Sequence, residues 1–189
     1  MEKKGKIIAV SSPSGGGKTS VVKKLLKDFP DIVFSISLTT RPIRSNEVNG
    51  VDYFFVSDEE FERRIKDNEF IEWERFYDYY YGTLKRFVED NINAGKSVLF
   101  EVDVKGALSL KKIYPDSILI FIDPPSFDEL VVRLKNRKTE NESDLQKRID
   151  RAKMELSFKQ DFDYIFVNDE LNKVYINVKK LISEKINKE

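Results

Sequence analysis

The 189-residue sequence contains no cysteine and no histidine. Without cysteine there is no disulfide, no thiol nucleophile and no thiolate metal site, which is compatible with a reducing compartment. Without histidine the commonest general base and metal ligand is missing, so catalysis must rest on Lys, Arg, Asp, Glu and the backbone. An excess of charge is absent as well: 33 Lys and Arg balance 33 Asp and Glu. That balance gives no support to duplex nucleic acid or an anionic membrane as a partner. Long apolar runs are lacking, and Met1-Glu2-Lys3-Lys4-Gly5-Lys6 leads into too few apolar residues for a signal-peptide core or a membrane span. A cytoplasmic protein is expected. No repeat or low-complexity tract is visible, and the length fits one domain with room for small inserted subdomains.

Glycine is scarce, with 8 in the chain, yet three stand together in Ser12-Pro13-Ser14-Gly15-Gly16-Gly17-Lys18-Thr19. The stretch follows the apolar run Ile7–Val10 and precedes a helical pattern, which gives strand, loop and helix. Such a loop can turn its N–H groups inward without Cβ clashes, and with the helix N-terminus it cradles phosphate. Lys18 adds a positive charge for the β- and γ-phosphates, and Thr19 stands where a P-loop hydroxyl meets Mg²⁺. Ser12 replaces the first glycine of that pattern, a position that shapes the turn and need not touch phosphate. The alternative is a glycine-rich turn with an accidental lysine.

Along the rest of the chain, Val21, Val22, Leu25, Leu26 and Phe29 recur at helical spacing until Pro30. Phe34–Leu38 alternates as one half-buried strand and runs into Thr39-Thr40-Arg41-Pro42-Ile43-Arg44, whose two arginines suit a bidentate grip on phosphate. Asn49-Gly50 turns into the strand Tyr53–Val56, and Ser57-Asp58-Glu59-Glu60 is a capping box opening a short helix. The aromatic segment Phe70–Thr83 suits a planar heterocycle, with Glu72 an acceptor for guanine's adjacent N–H groups; equally, its aromatics form a small core. Ser97–Asp103 is a buried strand ending in acid. Asp103 belongs either at Mg²⁺ and the acceptor nucleotide or at the cap of the next helix. Ile118–Ile122 is a further strand and Ser126–Glu129 a second capping box. Arg133 and Arg137 on one helix, and Arg148 and Arg151 on the next, read as a lid over phosphates or as solvated amphipathic faces. Asp163–Asp169 holds a fifth strand, followed by a helix carrying Val174, Val178, Leu181 and Ile182.

Taken together these segments resemble the guanylate kinases nearly end to end. The family signature S-x-S-x-T-T-R-x-P-R-x-G-E-x-x-G-x-D-Y-x-F stands here as Ser35 through Phe55. The resemblance implies an α/β P-loop three-layer fold with a five-stranded parallel core sheet, a small β-rich GMP-binding subdomain (37–87) and a helical lid (126–158). The core would comprise 1–36, 88–125 and 159–189. It implies transfer of the γ-phosphoryl group of ATP to GMP, with Mg²⁺ as cofactor. Ser37, Arg41, Arg44, Tyr53 and Tyr81 would hold the GMP phosphate, Glu72 and Thr83 would read guanine, and Asp103 would lie near guanine and metal. Arg133, Arg137 and Arg148 would approach the ATP phosphates with Lys18, Ser12 through Thr19 would bind ATP, Thr19 would meet the metal, and Asn168 would contact adenine. The partners would be the nucleotides ATP and GMP, with no nucleic acid or membrane, in a monomer or weak homo-oligomer. Departures are Ser12, the order Pro42-Ile43, Asn46 at a glycine position, Lys105 where the family has Gln, and Lys138 at a lid glycine. Two other readings stand beside this one: a kinase for another nucleoside monophosphate, and a phosphopeptide-binding scaffold. Scaffolds of this kind have degraded P-loops, whereas Gly17-Lys18-Thr19 is intact here.

Overall fold

The computed structural model describes residues 4–76, 78–136 and 142–187. In chain order the elements are β1 (Ile7–Ser11), α1 (Lys18–Asp28), β2 (Val33–Phe34), β3 (Leu38–Thr39), β4 (Phe54–Phe55), α2 (Asp58–Lys66), β5 (Phe70–Phe76) and β6 (Tyr79–Leu84). There follow α3 (Lys85–Asn93), β7 (Val98–Glu101), α4 (Val104–Ile113), β8 (Ile118–Asp123), α5 (Phe127–Lys135), α6 (Glu142–Ser157), a 3-10 turn (Lys159–Asp161), β9 (Tyr164–Val167) and α7 (Leu171–Asn187).

β1 and β8 are apolar almost throughout and buried along their whole length, the mark of parallel strands covered on both faces. They lie in a five-stranded sheet of order β2-β7-β1-β8-β9, parallel at every pairing. Because side chains alternate along a strand, Ile8, Val10, Leu99, Ile120 and Ile122 face one way, against Val21, Val22 and Leu25 of α1 and Val174, Val178 and Ile182 of α7. Ile7, Ala9, Val98, Phe100, Leu119 and Phe121 face the other way, against Val88 of α3, Ala107 and Leu110 of α4, and Phe162. The result is the expected three-layer core, with every strand's carboxyl end at the same edge, where open α/β sheets bind ligands.

The expected strand Phe34–Leu38 is two short strands in different sheets. Ser35 N–H still donates to Leu99 O (2.9 Å) in the core sheet, whereas Ser37 O already accepts from Phe54 N–H (2.9 Å) in the next. Residues 35–37 carry the chain from one sheet to the other, so alternation alone could not show the break. The second sheet is mixed, of order β4-β3-β6-β5. Its inner face rests on α2, whose Phe61 is fully buried and stacks on Phe70 and Tyr80 at centroid distances of 4.4 and 5.1 Å. Gly82 is required beneath that stack, since a Cβ there would lie 2.9 Å from Phe70 and 3.0 Å from Phe61. The serine half of each capping box forms as expected, Ser57 Oγ accepting from Glu60 N–H (3.2 Å) and Ser126 Oγ from Glu129 N–H (3.1 Å), while the two glutamates pair with arginines on their own helices. Leu130 and Leu134 of α5 pack with Ala152 of α6 as a third, smaller cluster. Arg137 and the departure Lys138 lie outside the described residues.

Candidate active site

The glycine loop leaves the carboxyl end of β1 and its three glycines have separate reasons. Gly15 and Gly17 have φ of 84° and 96°, the left-handed region that side chains rarely adopt. Gly16 has no such torsion, but a Cβ on it would lie 2.8 Å from Ser12 Cβ and 3.0 Å from Pro13 O. Ser12, in place of glycine, folds its own hydroxyl back onto Pro13 O (2.9 Å), and so serves the turn rather than pointing into it. Gly17 caps α1, whose first turn carries no acidic residue, leaving the positive end of the helix dipole to an anion. Asn168 braces the loop from below. Its Nδ2 donates to Gly16 O (2.8 Å), and any Cβ on Gly17 would collide with it. The residue expected at adenine thus has its amide committed to the loop, and Arg133 reaches the same point by donating to Asn168 O (3.3 Å).

Thr19 Oγ1 donates to the carboxylate of Glu101, the last residue of β7. Glu101, not Asp103, is therefore the acid at the P-loop hydroxyl. Asp103 caps α4, with Oδ1 accepting Gly106 N–H (2.7 Å), while Oδ2 accepts from Arg151 Nη2 (2.7 Å). The cap reading of Asp103 holds, and its second oxygen is taken by Arg151.

Antiparallel pairing of β5 and β6 puts Glu72 directly opposite Thr83. Thr83 Oγ1 donates to Glu72 Oε1 (2.7 Å), and Glu72 Oε2 and Asp103 Oδ1 both lie 3.2 Å from where a Cβ on Gly106 would stand. Burial pushes the Glu72 carboxyl up to about 7, with the Asp103 charge adding to the rise and the Thr83 bond opposing it. Glu74, two residues further along the strand and on the same face, is likewise pushed up to about 7 by burial and by Asp103. Burial acts on Asp103 in the same direction, but hydrogen bonds from Glu74 and Gly106 N–H, with the charges of Arg151 and Lys18, bring it below the ordinary carboxylate value.

A third group lies on β3 and the loop after it. The Arg41 guanidinium sits 5.4 Å from the Tyr53 ring centre and 5.6 Å from that of Phe55, and Tyr53 meets Tyr81 edge-on at 6.1 Å. Glu47 takes Arg41 in a two-point pair (2.8 and 3.0 Å) and also accepts Arg44 N–H (2.9 Å). That pairing raises the Arg41 pKa and lowers that of Glu47. Arg44 itself is exposed, Ser37 is half-buried beside this group in the chain, and Arg148 is half-buried on α6. The structure thus brings together Arg41, Tyr53 and Tyr81, and separately Glu72, Thr83 and Asp103, and it links Asp103 to the charge of Lys18. Glu47, Glu101 and Glu155 were not singled out from sequence. Glu47 had a signal, since an acid three residues after Arg44 in an arginine loop is its natural counter-ion. Glu101 had one too, standing two positions before Asp103 on a strand.

The guanylate kinase family model matches residues 4–185. The chain belongs to the guanylate kinase family. It is 48% identical over 168 residues to the guanylate kinase of Thermotoga maritima, covering 89% of this chain and 81% of that one. It is 46% identical over 181 residues to that of Chlorobaculum tepidum, covering 95% and 93%. Among solved structures, a guanylate kinase from Anaplasma phagocytophilum superposes with a TM-score of 0.80 at 31% identity, covering 100% of this chain and 89% of that one. A guanylate kinase is an ATP:GMP phosphotransferase, and the family binds ATP and GMP. Among the described residues no cluster of three or more acids forms a ready metal cage. Thr19 with Glu101 nonetheless fits Mg²⁺, which is held by few protein oxygens and keeps waters and phosphate oxygens as its other ligands.

Proposed function

We propose that in this guanylate kinase the γ-phosphoryl group of ATP passes to GMP between the Gly15–Thr19 loop and the Arg41–Tyr53–Tyr81 group, with guanine read by Glu72 and Thr83. The observation that carries this is the position of Asp103. It lies against Glu72 on one side and within reach of the Lys18 charge on the other, so guanine pocket and phosphate loop open onto one edge of the sheet. A buried carboxylate backed by a hydroxyl matches the two adjacent N–H donors of guanine and would leave the ring edge of adenine with an unpaired acceptor.

The acceptor is a phosphate already ionised near neutral pH, so no base is needed and the missing histidine is no handicap. Catalysis is positioning and charge neutralisation. Lys18 sits at the first position of α1, where the helix dipole adds to its charge. Arg41 has a planar fork that can donate to phosphate oxygens as it now donates to Glu47, and Arg133, braced on Asn168 O, stands at the loop from the lid side. Arg44, Arg137 and Arg148 are assigned to the same task, Ser37 to the acceptor phosphate, and Asn168 to the base of the loop beside adenine. Thr19 and Glu101 would hold Mg²⁺, which supplies charge neutralisation on the β- and γ-phosphates when bound.

We divide the chain accordingly into core (1–36, 88–125, 159–189), GMP-binding subdomain (37–87) and lid (126–158). We read it as a cytoplasmic monomer or weak homo-oligomer acting on free nucleotides; the balanced charge supports this. No helix among the described residues is long and apolar enough to cross a membrane. An ADP-release assay with ATP, Mg²⁺ and each of GMP, AMP, UMP and dTMP tests the assignment. Strong turnover is expected with GMP alone. Turnover with another monophosphate would overturn the guanine pocket, and folded protein inactive with all four would favour a binding scaffold.

A further inference from the structure

Arg151 stands where three parts of the molecule meet, and no step above uses it. From α6 its Nε donates to Glu155 Oε1 (2.9 Å), one turn along the same helix. Its Nη2 donates to Asp103 Oδ2 (2.7 Å) at the head of α4 and to Glu74 Oε2 (3.3 Å) on β5. Glu155 is only 4% exposed, and its second oxygen accepts the N–H of Ser14 in the phosphate loop (3.1 Å). Hydrogen bonds therefore run from Asp103 through Arg151 and Glu155 to the loop that would hold ATP, and Glu72 stands near Asp103 beside Gly106.

Three carboxylates converge on this one guanidinium. Without it, Glu74 on the GMP-binding sheet, Asp103 on the core and Glu155 on the lid would lose the cation they share, and repulsion among the ionised acids would favour their separation. The requirement is specific to arginine. A rigid planar fork serves acceptors in several directions at once, whereas a lysine ammonium is a point charge on a flexible stem and cannot hold the three together.

We propose that Arg151, gripped by Glu74, Asp103 and Glu155, is a positioning residue that transmits occupancy of the guanine pocket to the phosphate loop, so that GMP and the adenine nucleotide bind cooperatively. The inference rests on the assignment of Glu72 and Asp103 to the guanine side. A guanine that draws on these acids changes what Asp103 presents to Arg151. The hold of Arg151 on Glu155 changes with it, and so does the anchoring of Ser14 N–H. Linkage makes the effect reciprocal: the factor by which GMP tightens the adenine nucleotide equals the factor in the opposite direction.

MgADP and GMP do not react with each other, so both dissociation constants can be measured on the whole chain by titration calorimetry, each alone and with the other saturating. In the parent chain each ligand is expected to tighten the other at least about fivefold, the lower end of ordinary allosteric coupling. Arg151→Ala should bring both ratios within about twofold of one, and Arg151→Lys should fall between. Glu74→Gln should also lower the ratio, and it keeps the test available if Arg151→Ala does not fold. A ratio of one in the parent, or the parent's ratio retained in Arg151→Ala or, failing that, in Glu74→Gln, overturns the proposal. If GMP and MgADP bind the parent independently, only the coupling falls; if GMP does not bind at all, the guanine assignment falls and the coupling with it.

Discussion

If Glu72 reads guanine as proposed, its carboxyl makes the affinity for GMP depend on pH in a calculable way. Burial raises its pKa from 4.5 to about 7. Guanine offers two N–H donors, and only the ionised carboxylate can accept both. The ionised fraction falls to about one tenth a unit below the pKa and about one hundredth two units below it. The KM for GMP should therefore rise roughly tenfold between its plateau above pH 8 and pH 6, and steeply below. The phosphate of GMP titrates near 6 on its own account, as phosphomonoesters do. Glu72→Gln separates the two, because it abolishes the inflection near 7 and leaves that of the phosphate. The decisive assay is kcat/KM for GMP from pH 5.5 to 9 in both proteins, joined to calorimetry in two buffers of different ionisation enthalpy. At pH 7 GMP binding should release roughly half a proton more in the parent than in the variant, where at most about a tenth, the share of the phosphate, remains.

Stability moves the other way, and the sign follows from the raised pKa. A carboxyl whose folded pKa exceeds its unfolded one favours the fold while protonated, and that contribution is lost as pH climbs from about 4.5 through about 7. The loss is about 3 kcal/mol at pH 8. Glu72→Gln escapes it and should raise Tm at pH 8 by several degrees in the ligand-free protein while weakening GMP. A KM that is flat over this range, or a variant that keeps the parent's inflection near 7, would refute the account of the pocket.

Lys18→Ala should lower kcat by about 10²–10³ or more, the effect of removing one transition-state contact, with urea unfolding little changed. Turnover close to the parent's would remove Lys18 from the chemistry. Phe61→Ala, emptying a fully buried site between Phe70 and Tyr80, should destabilise by about 3–5 kcal/mol, read as a shift in the urea midpoint at constant slope. Glu101→Gln should raise the Mg²⁺ concentration needed for half-maximal rate several-fold while leaving binding of Mg-free GMP alone; an unchanged Mg²⁺ requirement would argue that Thr19 and Glu101 do not hold the ion.

The core was legible from the sequence because its signals are local. The apolar runs of β1 and β8, the capping boxes at Ser57 and Ser126, and the helical spacing of Val174, Val178 and Ile182 each lie within a few residues and appear in the structure where periodicity places them. The glycine loop was legible for the same reason. What alternation could not show is a strand that changes sheets, as at Ser35–Ser37, where the in-and-out pattern continues while the partner changes from β7 to β4. Contacts across the chain were hidden as well. Glu155 meets Ser14 over a separation of 141 residues and Asn168 meets Gly16 over 152, and nothing near either residue records the other. Arg151 shows the limit most clearly: its spacing from Arg148 suggested a phosphate-facing pair, whereas the carboxylates drawn around it by β5, α4 and its own helix decide where it points.

Acids pushed to near 7 in a cleft ordinarily mark general acid and base residues. Glu72 and Glu74 both meet that description, yet phosphoryl transfer to an ionised phosphate has no proton that must be removed. Their perturbation has a different origin. A carboxylate reads two N–H groups sharply only if water is kept from it, and excluding water is what raises its pKa. The cost of keeping Glu72 ionised in the empty pocket is thus the same quantity that discriminates against a ring without those donors, since such a ring would leave the buried charge unpaired. The residues assigned to the transferring group show the opposite environment. Lys18 stands at a helix N-terminus, and Arg41, a cation at any physiological pH, on a charged partner it can exchange. On the proposed assignment, recognition uses buried acids whose charge is conditional, and catalysis relies on cations.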